Sequence, residues 1–107
     1  MTNDALRARI EGLLGAGLGT EWADRAYMPN QVTAACRRLQ DLAPDDVEAR
    51  LVVAGFTPQP YVAPVDEGGI EQSCSVCMYF DRHRAFCALP ELMLPVKPQW
   101  SCILWRI

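Results

Sequence analysis

The chain is short of positive charge, of histidine and of long apolar runs, and each shortage closes off a class of function. Ten basic residues face thirteen acidic ones, for a net charge of −3 over 107 residues. Residues 1–56 hold eight acids and six arginines, and residues 57–107 hold five acids and four bases. Neither half is basic enough to hold a nucleic-acid backbone by counterion release, so DNA or RNA is a disfavoured partner. His83 is the one histidine, which excludes a hydrolytic zinc motif built on several. A Ser–His–Asp pattern and a phosphate-binding glycine loop are missing too, so the chain is not expected to be an enzyme. No apolar run reaches the length of a membrane span. The opening residues Met1-Thr2-Asn3-Asp4 carry an acid where an export signal has a basic and then an apolar stretch. The expectation is a soluble cytoplasmic protein without a membrane partner. Internal repeats and low-complexity tracts are absent.

What remains is of ordinary globular composition, half apolar and about a fifth charged. At this length the chain makes one small domain, or a small helical part fused to a metal-stapled one. Five cysteines are present. In a reducing compartment, clustered cysteines more often bind metal or do redox chemistry than form structural disulfides. Were the protein exported, two disulfides and a spare Cys36 would be the rival arrangement.

The expected architecture is small, mixed and mainly α. Residues 1–56 form a helical part of three to four short helices. Thr2 or Asn3 caps the first, in which Leu6, Ile10, Leu13 and Leu14 recur at helical spacing until Gly15, Gly17 and Gly19 end it. Thr20 caps a short second turn, Glu21 to Tyr27, with Trp22 and Ala26 on one side. Pro29-Asn30 breaks and re-caps the chain, and Val32, Ala35, Cys36 and Leu39 predict an amphipathic helix over 31–41. A fourth helix starts at Pro44, runs through Val47, Leu51 and Ala54, and stops at a left-handed Gly55 with Phe56 folded back. Residues 57–73, with Pro58, Pro60 and Pro64 and the polar turn Asp66-Glu67-Gly68-Gly69, read as a proline-rich extended strap or linker. Residues 74–107, interrupted by Pro90, Pro95 and Pro98, form an irregular, loop-rich four-cysteine part. That part has too little core to be stable without a bound metal or cluster.

Cys74, Cys77, Cys87 and Cys102 follow the pattern C-x2-C-x9-C-x14-C. Four thiolates can fill the corners of one tetrahedral site, so these four are the candidate cofactor-binding and metal-ligating residues. In the knuckle Cys74-Ser75-Val76-Cys77 the backbone turns so that two sulfurs face one centre and backbone N–H groups point at sulfur. A zinc ribbon would bring a second C-x2-C pair. Here two single cysteines follow instead, which tilts the choice from Zn2+ towards an iron–sulfur cluster. All four positions being thiolate, the site has no open coordination position, as in structural zinc and electron-transfer clusters. Tyr79, Phe80, Phe86, Trp100 and Trp105 flank the cysteines and can keep water away.

The segments Cys74–Phe80, Phe86–Pro90 and Trp100–Trp105 resemble the cluster-binding part of high-potential iron–sulfur proteins. The resemblance covers residues 74–105. It implies one [4Fe-4S] cluster, with Cys74, Cys77, Cys87 and Cys102 each on one iron and Tyr79, Phe80, Trp100 and Trp105 as insulation. The chain departs from that family's pattern in a shorter gap before Cys87, in Ser101 standing between Trp100 and Cys102, and in its helical N-terminal half.

Plainer roles stand beside these. The four cysteines read alternatively as buried apolar residues. Cys36, on an apolar helix stripe, reads as a core residue. His83, in Asp81-Arg82-His83-Arg84, reads as an exposed loop residue, and Arg82 and Arg84 as either a docking patch or a solvated loop. Three functions follow. The first is a small [4Fe-4S] protein in electron transfer or redox sensing, or a cluster-stabilised subunit, with another protein as redox partner or assembly mate. The second is a zinc-stabilised adaptor within a larger assembly. The third is a metal-stabilised helix-turn-helix-like DNA-binding regulator, with Gln31, Thr33, Arg37 and Arg38 on its recognition helix.

Overall fold

The structure, a computed structural model, describes residues 2–21, 29–43, 45–62, 69 and 71–106. Its first element follows from Thr2. That residue stays extended, and its hydroxyl accepts the Ala5 N–H at 3.1 Å, satisfying one of the free donors of a helix start. Helix α1 then runs Asn3–Gly15 and buries Ile10 and Leu14, with Leu6 and Leu13 half-buried beside them.

Helix α2 spans Pro29–Gln40. It begins on the proline that the sequence reading treats as a break. Proline has no N–H to lose and a φ already set for the helix, which suits it to a first turn. Ala35 and Leu39 are buried, while Val32 and Cys36 are half-buried. The short turn expected over Glu21–Tyr27 lies, beyond Glu21, outside the described residues.

Helix α3, Val47–Ala54, starts later than expected. The carboxylate of Asp46 caps it by accepting the Ala49 N–H at 3.2 Å; Pro44 lies outside the described residues. Its end is as read: Gly55 adopts φ 63° and ψ 43°, and the N–H of Phe56 reaches back to Leu51 O at 3.1 Å. Phe56 is 2 % exposed.

The strap is tied down as an antiparallel ribbon. Strand β1, Tyr61–Val62, pairs with β2, Glu71–Gln72, in the register Tyr61↔Gln72 and Val62↔Glu71. A 3-10 turn over Cys74–Val76 follows. A second sheet has the order β3-β4-β5, with β3 Phe80–Asp81, β4 Phe86–Cys87 and β5 Leu94–Pro95, all antiparallel. Three helices beside two small antiparallel sheets make a mixed α and β fold, not a mainly helical one. Two-residue strands carry no readable alternation, which is why the helices dominate the sequence signal.

The expectation of a poor core in the last third is also corrected. Twelve of the twenty-one buried apolar residues described lie between Cys74 and Trp105, with Leu92, Val96 and Trp100 at 1 % exposure or less. They join Ile10, Leu39, Leu51 and Ala54 in one apolar cluster. Burying Trp100 alone contributes roughly 4–6 kcal/mol, from its 150–250 Å² at about 25 cal/mol per Å². The Cα radius of gyration is 13.0 Å, as a packed chain of this length should have.

Arg7 stitches α1 to the second sheet. Its guanidinium donates to Val96 O at 3.0 Å, Arg84 O at 2.9 Å and Ala85 O at 2.8 Å, while Asp4 neutralises it from one turn away. Arg50 does the same for α3, donating to Leu92 O at 2.6 Å.

Gly55 supplies the sharpest test of this packing. A Cβ there would stand 2.6 Å from Ile103 Cγ2 and 3.2 Å from the Glu21 backbone, in a left-handed backbone that L side chains avoid. Gly55→Ala is expected to cost about 2–4 kcal/mol, the sum of the left-handed penalty and local overpacking. Urea unfolding of the two proteins measures it; a change below about 1 kcal/mol would show that Ile103 does not close on this turn.

Candidate metal centre

The site grows from the 3-10 turn. Val76 N–H bonds Ser73 O at 3.1 Å and Cys77 N–H bonds Cys74 O at 3.0 Å, which bends the backbone tightly between the two cysteines. Cys77 O then accepts the Phe80 N–H at 3.1 Å, a second turn that launches β3. The β3–β4 pairing places Phe80 opposite Cys87, and Ala88 N–H closes the same edge on Tyr79 O at 2.8 Å. Cys87 is thereby brought to the knuckle by sheet register.

Cys102 arrives from the other side. Residues 98–106 return antiparallel across the knuckle: Ser75 N–H reaches Pro98 O at 3.0 Å, Cys74 N–H reaches Trp100 O at 2.6 Å, and Met78 N–H reaches Arg106 O at 2.7 Å. The indole N–H of Trp105 donates to Ser73 O at 2.8 Å, in a buried setting. Cys102 lies within this return, its carbonyl accepting the Trp105 N–H at 3.3 Å.

Cys74, Cys87 and Cys102 are buried at 7–9 % exposure, and Cys77 is half-buried. All five cysteines of the chain are free thiols, so the disulfide arrangement is not adopted. Three of the thiols belong to the main apolar cluster. Trp100, Trp105 and Phe86 are buried, and Tyr79 and Phe80 pack half-buried against the core. Phe86 is roofed by the Arg84 guanidinium, 4.0 Å above its ring.

Electrostatics link the four thiols. Burial pushes the Cys74 thiol far up from its ordinary value, and the neighbouring sulfurs of Cys102, Cys87 and Cys77 push it further. Cys87 is pushed up to about 11, again by burial first and also by Cys77, while an N–H bond from Leu89 to the Cys87 sulfur opposes the shift. The four residues therefore share one electrostatic neighbourhood. Among the described residues no three His, Cys, Asp or Glu side chains converge at the spacing of a single-ion site.

Other candidates fall elsewhere. His83 is exposed on the β3–β4 turn, where its N–H bonds Asp81 Oδ1 at 3.0 Å. Cys36 is not a core residue. It lines a cleft of about 440 Å³ between α2 and the cysteine-rich part, with Val32, Tyr79, Leu89, Pro90, Glu91, Leu104 and Arg106. Among the residues named for a DNA-reading helix, Arg38 is held by Glu21 through two bonds of 2.6 Å, and the Thr33 hydroxyl bonds back to Pro29 O at 2.9 Å. The residues that sequence reasoning missed are Arg7 and Leu89. The Asp4–Arg7 spacing hints at the first, but a backbone N–H aimed at sulfur leaves no mark on the sequence.

No family model matches the chain, and neither a curated protein nor a solved structure matches it at a significant level. No described helix is long and apolar enough to cross a membrane.

The raised thiols fix the pH behaviour of the metal-free chain. A thiol whose folded value lies above its ordinary one is favoured in the fold as the neutral form, so its stabilisation is complete below the ordinary value and lost as pH rises. For Cys87 the window runs from 9.0 to about 11. The metal-free protein should lose about 2–3 kcal/mol across it from Cys87 alone, readable by denaturant titration at stepped pH. A flat profile between pH 9 and 11 would mean that Cys87 is not desolvated.

Proposed function

We propose that this is a small iron–sulfur protein in which Cys74, Cys77, Cys87 and Cys102 hold one [4Fe-4S] cluster for electron transfer or redox sensing. The observation that carries it is the shared electrostatic neighbourhood of four free thiols, three of them buried. Buried thiolates that repel one another are stable only around compensating positive charge, and a cluster provides it. Cys87 and Cys102 come singly from a strand and from the C-terminal return, which suits a centre whose irons each take one thiolate.

Bound there, the cluster would supply one-electron chemistry. The chain's own part is to keep it dry and to tune it. Trp100, Trp105 and Phe86 shut out water on the buried side. The Leu89 N–H stabilises negative charge on the Cys87 sulfur, the kind of bond that raises a cluster's potential. The indole of Trp105, pinned to Ser73 O, holds the return in place against the knuckle; such a bond is worth about 1 kcal/mol net.

Purification without oxygen, with absorbance and analysis of iron, sulfide and zinc, tests the reading. A brown protein with about four irons per chain supports it. A colourless protein with one zinc would make the centre architectural, and a colourless, metal-free, folded protein would make the cysteines core residues. Cys87→Ser should lose the cluster absorbance and leave the amides of residues 74–80 faster to exchange, because metal binding and folding are coupled there. Full iron content in that variant would remove Cys87 from the ligand set.

A further inference from the structure

The four cysteines are not equally enclosed. Cys77 alone among them is half-buried, and the residues on either side of it, Val76 and Met78, are 53 % and 63 % exposed. Val62, Val76, Met78 and Met93 are the exposed large apolar residues described, so two of the four flank the one accessible cysteine. Neither is needed in the core, and each leaves apolar surface in water beside the centre.

Charge around this edge runs against the rest of the molecule. Residues 74–106 carry Arg82, Arg84, Lys97 and Arg106 against Asp81 and Glu91, a net +2 within a chain of net −3. Lys97 is engaged by Glu11 of α1, and Arg84 lies 3.8 Å from Asp81. Arg82 and Arg84 are exposed on the β3–β4 turn. Met78 and Arg82 are separated by at most about 13 Å of extended chain. A protein interface of standard size, about 800 Å² per partner, is wide enough to cover both.

We propose that this face, with Val76 and Met78 at its centre and Arg82 and Arg84 at its rim, docks an acidic one-electron carrier protein. The proposal rests on the cluster reading above and names the partner of that centre. An apolar centre with a charged rim is the usual anatomy of such contacts, the rim setting encounter rate and choice of partner. In the complex one electron passes between the cluster and the partner's own redox group through the Cys77 edge. One group is oxidised as the other is reduced, and no bond is made or broken. The acidic helical half of the same chain repels such a partner, which restricts docking to the cysteine edge.

The test uses the full, cluster-loaded chain and two protein probes, an acidic flavodoxin and a basic cytochrome c. Binding is followed by calorimetry, and sedimentation reports self-association. The expected result is binding to the flavodoxin that weakens about tenfold between low and physiological salt, with none to the cytochrome. Arg82→Glu with Arg84→Glu should weaken it by tenfold or more, and Met78→Asp alone should do likewise. Both variants should keep the cluster absorbance of the parent. Absence of flavodoxin binding, or binding that survives both variants, would overturn the proposal. Salt-sensitive self-association abolished by the double variant would overturn it in favour of a second copy of this chain. Missing cluster absorbance in the parent protein marks failure of the cluster reading instead, and flavodoxin binding by that colourless protein would overturn the electron-transfer role of the face.

Discussion

The return of residues 98–106 across the Cys74–Cys77 turn is the constraint on which the rest of the molecule depends. One edge of that segment bonds the knuckle, through Pro98 O, Trp100 O and Arg106 O. Residues within the same segment bond the helical layer: Ser101 pairs with Thr57 in both directions, and Ile103 N–H reaches Ala54 O at 2.9 Å. Ile103 also packs against the left-handed turn at Gly55. A stretch with almost no regular structure therefore joins the end of α3 to the four cysteines. Its backbone is satisfied by partners far away in sequence, as a buried irregular segment must be.

This connection explains how such short strands persist. A two-residue strand has no stability of its own, and an isolated hairpin is marginal even when longer. Here β4 and β5 lie over Leu92, Leu94 and Val96, and Arg7 caps the carbonyls of Arg84, Ala85 and Val96 from α1. Ala85 and Met93 accept positive φ, 47° and 49°, at the two turns of this sheet. Each costs the chain on the order of 1–2 kcal/mol. The arginine bonds and the apolar burial on both sides offset that strain.

How much of this the sequence discloses depends on the range of the interaction. Helical spacing of Leu6, Ile10 and Leu14 and the Gly55–Phe56 stop are local signals, and they located α1 and the end of α3. The starts of α2 and α3 are local too, but they required choosing among competing caps; proline at position 29 and Asp46 at position 46 won. The β3–β5 sheet and the return at 98–106 are held by pairings across ten to fifty residues, which periodicity does not register. The grouping of the four cysteines was legible from spacing and flanking aromatics. Their unequal burial was not, because it follows from which side of the knuckle the return covers.

That inequality bears on what the centre is for. Cys74, Cys87 and Cys102 sit in the same apolar cluster as Leu51 and Ile10, so three corners of the site are continuous with the core. A centre meant only to staple the fold gains most when all of its thiolates are enclosed, because desolvation strengthens every interaction there. Leaving Cys77 at the surface between two exposed apolar side chains gives up part of that gain. It also gives the centre a short path to the outside through one sulfur. A purely architectural role leaves the cost at Val76 and Met78 without a return, whereas exchange of electrons with another molecule requires both the opening and a surface for that molecule to cover.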